Sequence, residues 1–296
     1  MTYIKKATCI FLPLLLMQCD TGVDPVKLGD EVIAITSFIS PQDTLITVTL
    51  SKVNFAGGSS ANDPVENALV VIQSTSQADT LTYNAANRWY ETRPEALSIV
   101  AGETYELSVT TATQHIWASC QVPPLPSQAL ITGESKEETY EFMLEWKNEE
   151  NHQYYSYDIS ATGTYFTSRD SLRRSFLSIG DTINPVNNYP IVGEMPIISN
   201  IDYKTPADDQ QLTNTIEAWI ADWHYVSDAT MSFKLYNIDE GLYNYLESFT
   251  KFESWRANLG NAIIAAQDQP QMYSNVENGI GVFAAHNSRT TKTVLK

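Results

Sequence analysis

The residues with the widest chemical repertoire in this 296-residue chain are three cysteines and four histidines. A metal centre needs several such ligands at short, defined spacings. His115, His152, His224 and His286 are scattered with no such spacing, so they are expected to be dispersed strand or surface histidines, and no metal site is expected. Asp208-Asp209 offers oxygens suited to a cation, but in its polar setting it reads as a solvated acidic turn. No HExxH, GxSxG or phosphate-cradling glycine loop occurs. Gly279-Ile280-Gly281 lacks the following helix that a dinucleotide site requires. Carboxylate pairs leave no local signature. With no nucleophile–base motif, the chain is expected to be no enzyme and to need no cofactor.

Cys19 is the cysteine with a purpose legible from its neighbours. Lys5 and Lys6 precede an apolar run over residues 7–16, and the chain then reads Leu16-Met17-Gln18-Cys19-Asp20. Crossing a bilayer takes roughly 20 apolar residues, so this run is too short to span and fits an export signal. The segment ending at Cys19 resembles a bacterial lipobox, in which the cysteine becomes the lipidated first residue after cleavage. Ordinary secretion is the competing reading of the same run. Residues 1–18 are therefore expected to be a lipoprotein signal peptide and 19–29 a tether. Cys9 leaves with the signal and Cys19 carries lipid, so Cys120 has no partner for an intramolecular disulfide. In the apolar stretch ASCQVPP it reads as a small core residue.

Charge acts by exclusion. The chain has 18 Lys+Arg against 35 Asp+Glu, a net of −17, and loss of Lys5 and Lys6 with the signal takes this to −19. Nucleic-acid binding requires clustered basic residues, and no such cluster is present. A polybasic membrane patch is equally missing, which leaves lipid as the route to a membrane. Among the aromatics, Trp219, Trp223 and Tyr225 share one face if residues 216–226 are a strand. Such a row can stack on a ligand or partner, or simply face a core, and core packing is the stronger reading.

The elements that must position these residues are nearly all strands. EVIAITSFIS, TLITVTLSKV, ALVVIQST, TLTYN, RWYET, ALSIV, TYELSVTTA and HIWASCQVP follow one another between turn residues. Short strands without helical period predict an immunoglobulin- or transthyretin-like β-sandwich over 30–122. Pro123, Pro124 and Pro126 read as a stiff linker. A second β-rich domain over 130–296 opens with TYEFMLEWKN and YYSYDISATGTYF, where Trp146, Tyr154 and Tyr155 resemble the aromatic core of a fibronectin-type sandwich. Residues 168–214 have no clear period, a length of loop that is uncommon unless functional or mobile. TIEAWIADWHYV and TMSFKLYNI predict a hairpin joined at SDA. Leu242, Leu246, Phe249, Phe252 and Leu259 then fall at helical spacing, which predicts one helix near 239–259, with Asp239 as N-cap and Gly260 as its stop. Asn278-Gly279 between apolar alternations predicts a type I′ hairpin. The fold class is thus mainly β, a sandwich followed by a β-rich domain with one helix.

This order of features, from the lipobox through VENALV, LEWKN, YYSYDI and LYNYLESF to the tail Tyr273-Ser274-Asn275-Val276-Glu277-Asn278-Gly279-Ile280-Gly281-Val282-Phe283, resembles a Bacteroidota lipoprotein family catalogued as domain of unknown function 4249. The resemblance covers about residues 28–285. It implies an exported, lipid-anchored protein of the cell envelope, often found beside TonB-dependent receptors. The family has no established activity, so no catalytic residues carry over.

Four tripeptides, Asp43-Thr44-Leu45, Asp79-Thr80-Leu81, Asp170-Ser171-Leu172 and Asp181-Thr182-Ile183, match the Asp-Ser/Thr-apolar sequon for O-glycosylation of exported Bacteroidota proteins. They make Thr44, Thr80, Ser171 and Thr182 candidate acceptors. Turn-to-strand junctions produce the same pattern, with Asp closing a turn and Thr opening a strand. The expected function is a non-catalytic binding or accessory component of TonB-dependent nutrient uptake at the outer membrane, with a TonB-dependent receptor as partner. The alternative is a structural or adhesive surface protein. Asp20 does not decide between the periplasmic and surface faces.

Overall fold

Alternation builds the first sandwich. In the computed structural model, which describes residues 32–53, 63–94, 96–137, 139–147, 154–166, 171–175, 178–179, 197–198, 213–221, 226–258 and 269–295, β1 (Val32–Ile39) turns Ile33, Ile35, Ser37 and Ile39 inward. It is followed by β2 (Thr47–Val53), β3 (Asp63–Pro64), β4 (Leu69–Gln73), β5 (Ala78–Asn84), β6 (Trp89–Glu91), β7 (Thr104–Thr110) and β8 (His115–Gln121). Each of the longer strands buries every second residue, as a one-sided antiparallel sheet must. Hydrogen bonding runs β1-β2-β6-β5-β4-β7-β8. The path folds over, so that Ile33, Ile35, Val48 and Leu50 share one core with Val70, Ile72, Leu107, Val109 and Ile116. Burying each such side chain is worth about 1.5–3 kcal/mol. ALSIV does not form a strand. Leu97 and Ile99 are still buried in the core, packed there from irregular backbone.

The second half supplies β9 (Leu130–Ser135), β10 (Thr139–Lys147), β11 (Tyr155–Phe166), β12 (Ser171–Ser175), β13 (Ser178–Ile179), β14 (Ile197–Ile198), β15 (Thr213–Ala221), β16 (Val226–Ile238), α1 (Glu240–Ala257) and β17 (Ile280–Val294). A four-stranded sheet, β13-β15-β10-β9, faces the β11-β16 sheet. Between them Tyr140, Phe142, Leu144 and Trp146 meet Tyr155, Tyr157, Met231 and Phe233. Trp146 packs at 6.1 Å from Tyr155 and 5.9 Å from Phe233, centroid to centroid. Tyr154 points the other way and stacks on Tyr243 of α1 at 4.4 Å.

Two hairpins expected from the sequence do not form. β15 pairs with β10, whereas β16 pairs with β11 and β17. Adjacent in sequence, β15 and β16 belong to different sheets. At Asn278-Gly279, Asn278 has φ 59°, but Gly279 lacks the positive φ that a type I′ turn demands. The chain instead runs into β17, which lies parallel to β1, with Ile35 opposite Gly281 and Ser37 opposite Phe283.

β17 joins the halves. It sits between β1 and β16 in the sheet, and its two faces serve different cores. Phe283 and Ala285 enter the first sandwich and Val282 and Ala284 lie under α1, while Leu295, just past the end of the strand, reaches the second sandwich. The helix is capped as expected at its start, where the Asp239 carboxylate accepts the Leu242 N–H at 2.7 Å. Its stop is Asn258, and Gly260 lies outside the described residues. Leu242 and Leu246 are buried. The proline segment is docked rather than free. Asn287 Nδ2 donates to the Pro123 carbonyl at 3.1 Å and Asn237 Nδ2 to that of Pro124 at 2.9 Å. These two buried asparagines face each other across β16 and β17.

Candidate functional site

The residues singled out in the sequence do not converge. Thr44 is exposed in the turn between β1 and β2, and Thr80 is exposed on β5 beside buried Asp79. Ser171 begins β12, opposite Phe166. Trp219 lies on β15, at the register position opposite Glu141 and Ser178. Cys19, Thr182, Trp223, Tyr225, His152, His224 and Asp208-Asp209 fall outside the described residues. His115 is exposed and shares a hydrogen bond with Thr110 at 3.0 Å. His286 packs edge-on to Tyr236 at 5.6 Å, and burial with the nearby Lys234 lowers it to about 4. Among the described residues no group of three or more His, Cys, Asp or Glu could hold a metal. No described helix is long and apolar enough to cross a membrane.

A cleft of ≈ 920 Å³ does gather polar chemistry at a place no local motif marks. One wall is the end of β8 and the proline segment, with Ser119, Gln121, Pro123 and Pro124. The start of α1 also lines the cleft, with Asp239, Glu240 and Asn244, as do Tyr154 and Tyr273. Its parts are fixed by bonds between distant segments. Asn275 Nδ2 lies within hydrogen-bonding distance of the carbonyls of Ser119 (3.2 Å) and Phe283 (2.7 Å). The Tyr273 N–H donates to Ser248 Oγ of α1 at 2.9 Å. Trp117 and Glu277 exchange backbone hydrogen bonds, so residues 275–278 close the edge of β8.

Asp239 is the pivot of the cleft. While one carboxylate oxygen caps α1, the other accepts the Ala285 N–H of β17 at 3.0 Å. Burial raises this carboxyl to about 7 against the opposing pull of those two N–H donors. Cys120 lines the same cleft but is buried. Burial, and then the neighbouring Asp239 carboxyl, push its thiol well above the usual range, so it has little thiolate to offer as a nucleophile. The lining holds carboxyl, amide, hydroxyl and phenol groups and no Lys, Arg or His. That composition can bind and orient a polar molecule.

Sequence reasoning missed this cleft because its walls come from residues 102–124, 154, 238–244 and 273–275. The available signals, separate in the sequence, were the Asp239 cap at a strand-to-helix junction and the polar YSNVEN just ahead of β17.

A search of curated proteins returns no match. Among solved structures, a two-fibronectin type-III domain segment from chicken tenascin matches 71% of this chain and 91% of its own, at 10% identity and TM-score 0.21. The structure of manganese lipoxygenase of Gaeumannomyces graminis, with partial zonadhesin of Komagataella pastoris, matches 72% of this chain and 89% of its own, at 11% identity and TM-score 0.18. The architecture therefore rests on strand pairing and core composition, not on either likeness. Residues 23–292 match the family described as Domain of unknown function (DUF4249), and the chain belongs to that family.

Proposed function

We propose that the protein is an exported, lipid-anchored component of the bacterial outer membrane that binds a polar ligand without transforming it, as an accessory to TonB-dependent nutrient uptake. The observation carrying the binding half is the cleft of ≈ 920 Å³, near the upper end of the roughly 300–1,000 Å³ typical of small-molecule sites. Its walls are held by side-chain-to-backbone bonds between segments far apart in sequence, and a preformed site spends less entropy on binding. The anchoring half rests on the run ending at Cys19. Acyl chains contribute about 0.8 kcal/mol per buried methylene, which holds an acidic protein at a membrane without a basic patch.

Metabolic labelling with palmitate tests the anchor: the parent chain takes up label and Cys19→Ala does not. Label on Cys19→Ala would overturn the address. Affinity capture from solubilised envelopes tests the partner, and a TonB-dependent receptor is expected to co-purify. A deletion strain that grows normally on every nutrient but attaches poorly would favour the structural or adhesive alternative.

A further inference from the structure

We infer that the cleft between β8 and α1 takes a neutral, hydroxyl-rich ligand, a short oligosaccharide, with the Tyr273 ring as stacking platform and Asn244 and Glu240 as hydroxyl partners. This rests on the binding role proposed above and narrows it to a ligand class.

Charge decides first. No Lys, Arg or His lines the cleft, while Asp239 and Glu240 do, so a phosphate, sulfate or carboxylate ligand would find no counter-ion. The positive end of α1 is matched by its own N-cap and by Glu240 in its first turn. Both oxygens of Asp239 are occupied by backbone N–H groups, which leaves Glu240 as the carboxylate open to a ligand. One such carboxylate against a helix N-terminus gives a cation little net attraction. A neutral polar molecule fits this balance.

Shape and chemistry decide next. A sugar ring offers an apolar C–H face and a rim of hydroxyls, and it is met by an aromatic ring together with amide and carboxylate groups. Tyr154, which also lines the cleft, is stacked on Tyr243 at an interplanar angle of 24°, and this fixes its ring. Tyr273 is held through its backbone N–H to Ser248 Oγ and lines the cleft. Asn244, on the first turns of α1, faces the same space. A volume of ≈ 920 Å³ suits several linked rings better than a single small group.

The test is calorimetric titration of residues 20–296 with neutral hexasaccharides of glucose, xylose and mannose, with oligogalacturonate and an oligolysine peptide as charged comparisons. A neutral hexasaccharide is expected to bind, with affinity at least ten-fold weaker in Tyr273→Ala and Asn244→Ala and largely kept in Tyr273→Phe. Unchanged melting temperature in each variant separates lost contact from lost fold. Failure of all neutral hexasaccharides to bind, or equal affinity in both alanine variants, overturns the inference. Tyr273-dependent binding of either charged probe overturns the saccharide class while leaving the cleft a binding site. The palmitate label on Cys19 reports the envelope role independently of all these outcomes.

Discussion

Asn275 is joined to Phe283 as one strand is joined to the next. Its Nδ2 donates to the Phe283 carbonyl at 2.7 Å, and its Oδ1 accepts the Phe283 N–H at 3.0 Å. A single amide side chain thus stands in for a strand residue beside fully buried Phe283. The same Nδ2 lies 3.2 Å from the Ser119 carbonyl of β8, so Asn275 ties the closing segment, β17 and β8 together.

Asn275→Ala should therefore cost about 1–3 kcal/mol, because it leaves a backbone donor and acceptor of Phe283 unpaired. Asn275→Asp should cost at least as much, since an acceptor would then face the Phe283 carbonyl. Urea denaturation of the parent and both variants measures this. A midpoint unchanged in both would mean that water replaces the amide at no cost, against the pairing described.

Gly281 sits in β17 directly beside β1. Its φ is +111°, and a Cβ there would lie 2.0 Å from the Ile35 carbonyl oxygen. Neither strain nor collision can be relieved without moving β1. Gly281→Ala should destabilise the fold by about 3 kcal/mol or more, in the range of severe backbone substitutions. An Ala variant melting within a degree or two of the parent would contradict this close approach. Gly279→Ala is the milder case, with a Cβ 2.9 Å from the Ile33 carbonyl oxygen.

Strand identity was legible wherever local alternation carried the information. HIWASCQ is β8 because Ile116, Ala118 and Cys120 must all face inward, and TYEFMLEWK is β10 for the same reason. The helix was legible because Asp239, Leu242 and Leu246 lie at cap and stripe spacing. Pairing was not legible, since nothing in TIEAWIA or in TMSFKLYNI says that one seeks β10 and the other β17. Likewise the Asn-Gly pair signalled a turn correctly and a hairpin wrongly. The strand after it is buried on both faces over Val282–Ala285, and a partner on the distant β1 satisfies it. The cleft was hidden for the same reason, because Asp239, Asn275 and Ser119 meet only once β17 has been inserted.

Cys120 offers a direct check on the core of the first sandwich. In residues 20–296 it is the single cysteine, it is buried, and its thiol is pushed upward by burial and by Asp239. Its reaction with a disulfide reagent at neutral pH should be slower than that of a free thiol by orders of magnitude, and should recover in denaturant. Rapid stoichiometric reaction of the native protein would show an accessible, ionisable thiol and reopen a catalytic reading of the cleft.

The pH dependence of stability should contain two opposed contributions, from Asp239 and His286. Asp239 is raised from 3.8 to about 7 by burial, so the native state holds a proton that the unfolded chain releases. Its contribution is complete below about pH 4 and is lost as pH rises through about 7. His286 is lowered from 6.5 to about 4 by burial and by Lys234, so the native state excludes a proton that the unfolded chain accepts. Its contribution is present above about pH 6.5 and is lost as pH falls through about 4. Between those limits each slope approaches about 1.4 kcal/mol per pH unit at most, and the two largely cancel in the parent. His286→Phe keeps a ring against Tyr236 and removes the titration. Relative to the parent, it should gain stability on going from pH 7.5 to 4.5. Asp239→Asn keeps an acceptor for Leu242 but sets an amide against the Ala285 N–H. Beyond its constant loss, it should lose further stability over the same fall in pH. Urea midpoints at the two pH values, taken as differences from the parent, cancel the background from other carboxylates. Difference curves that are flat, or that slope the other way, would show that these two side chains are not buried as described.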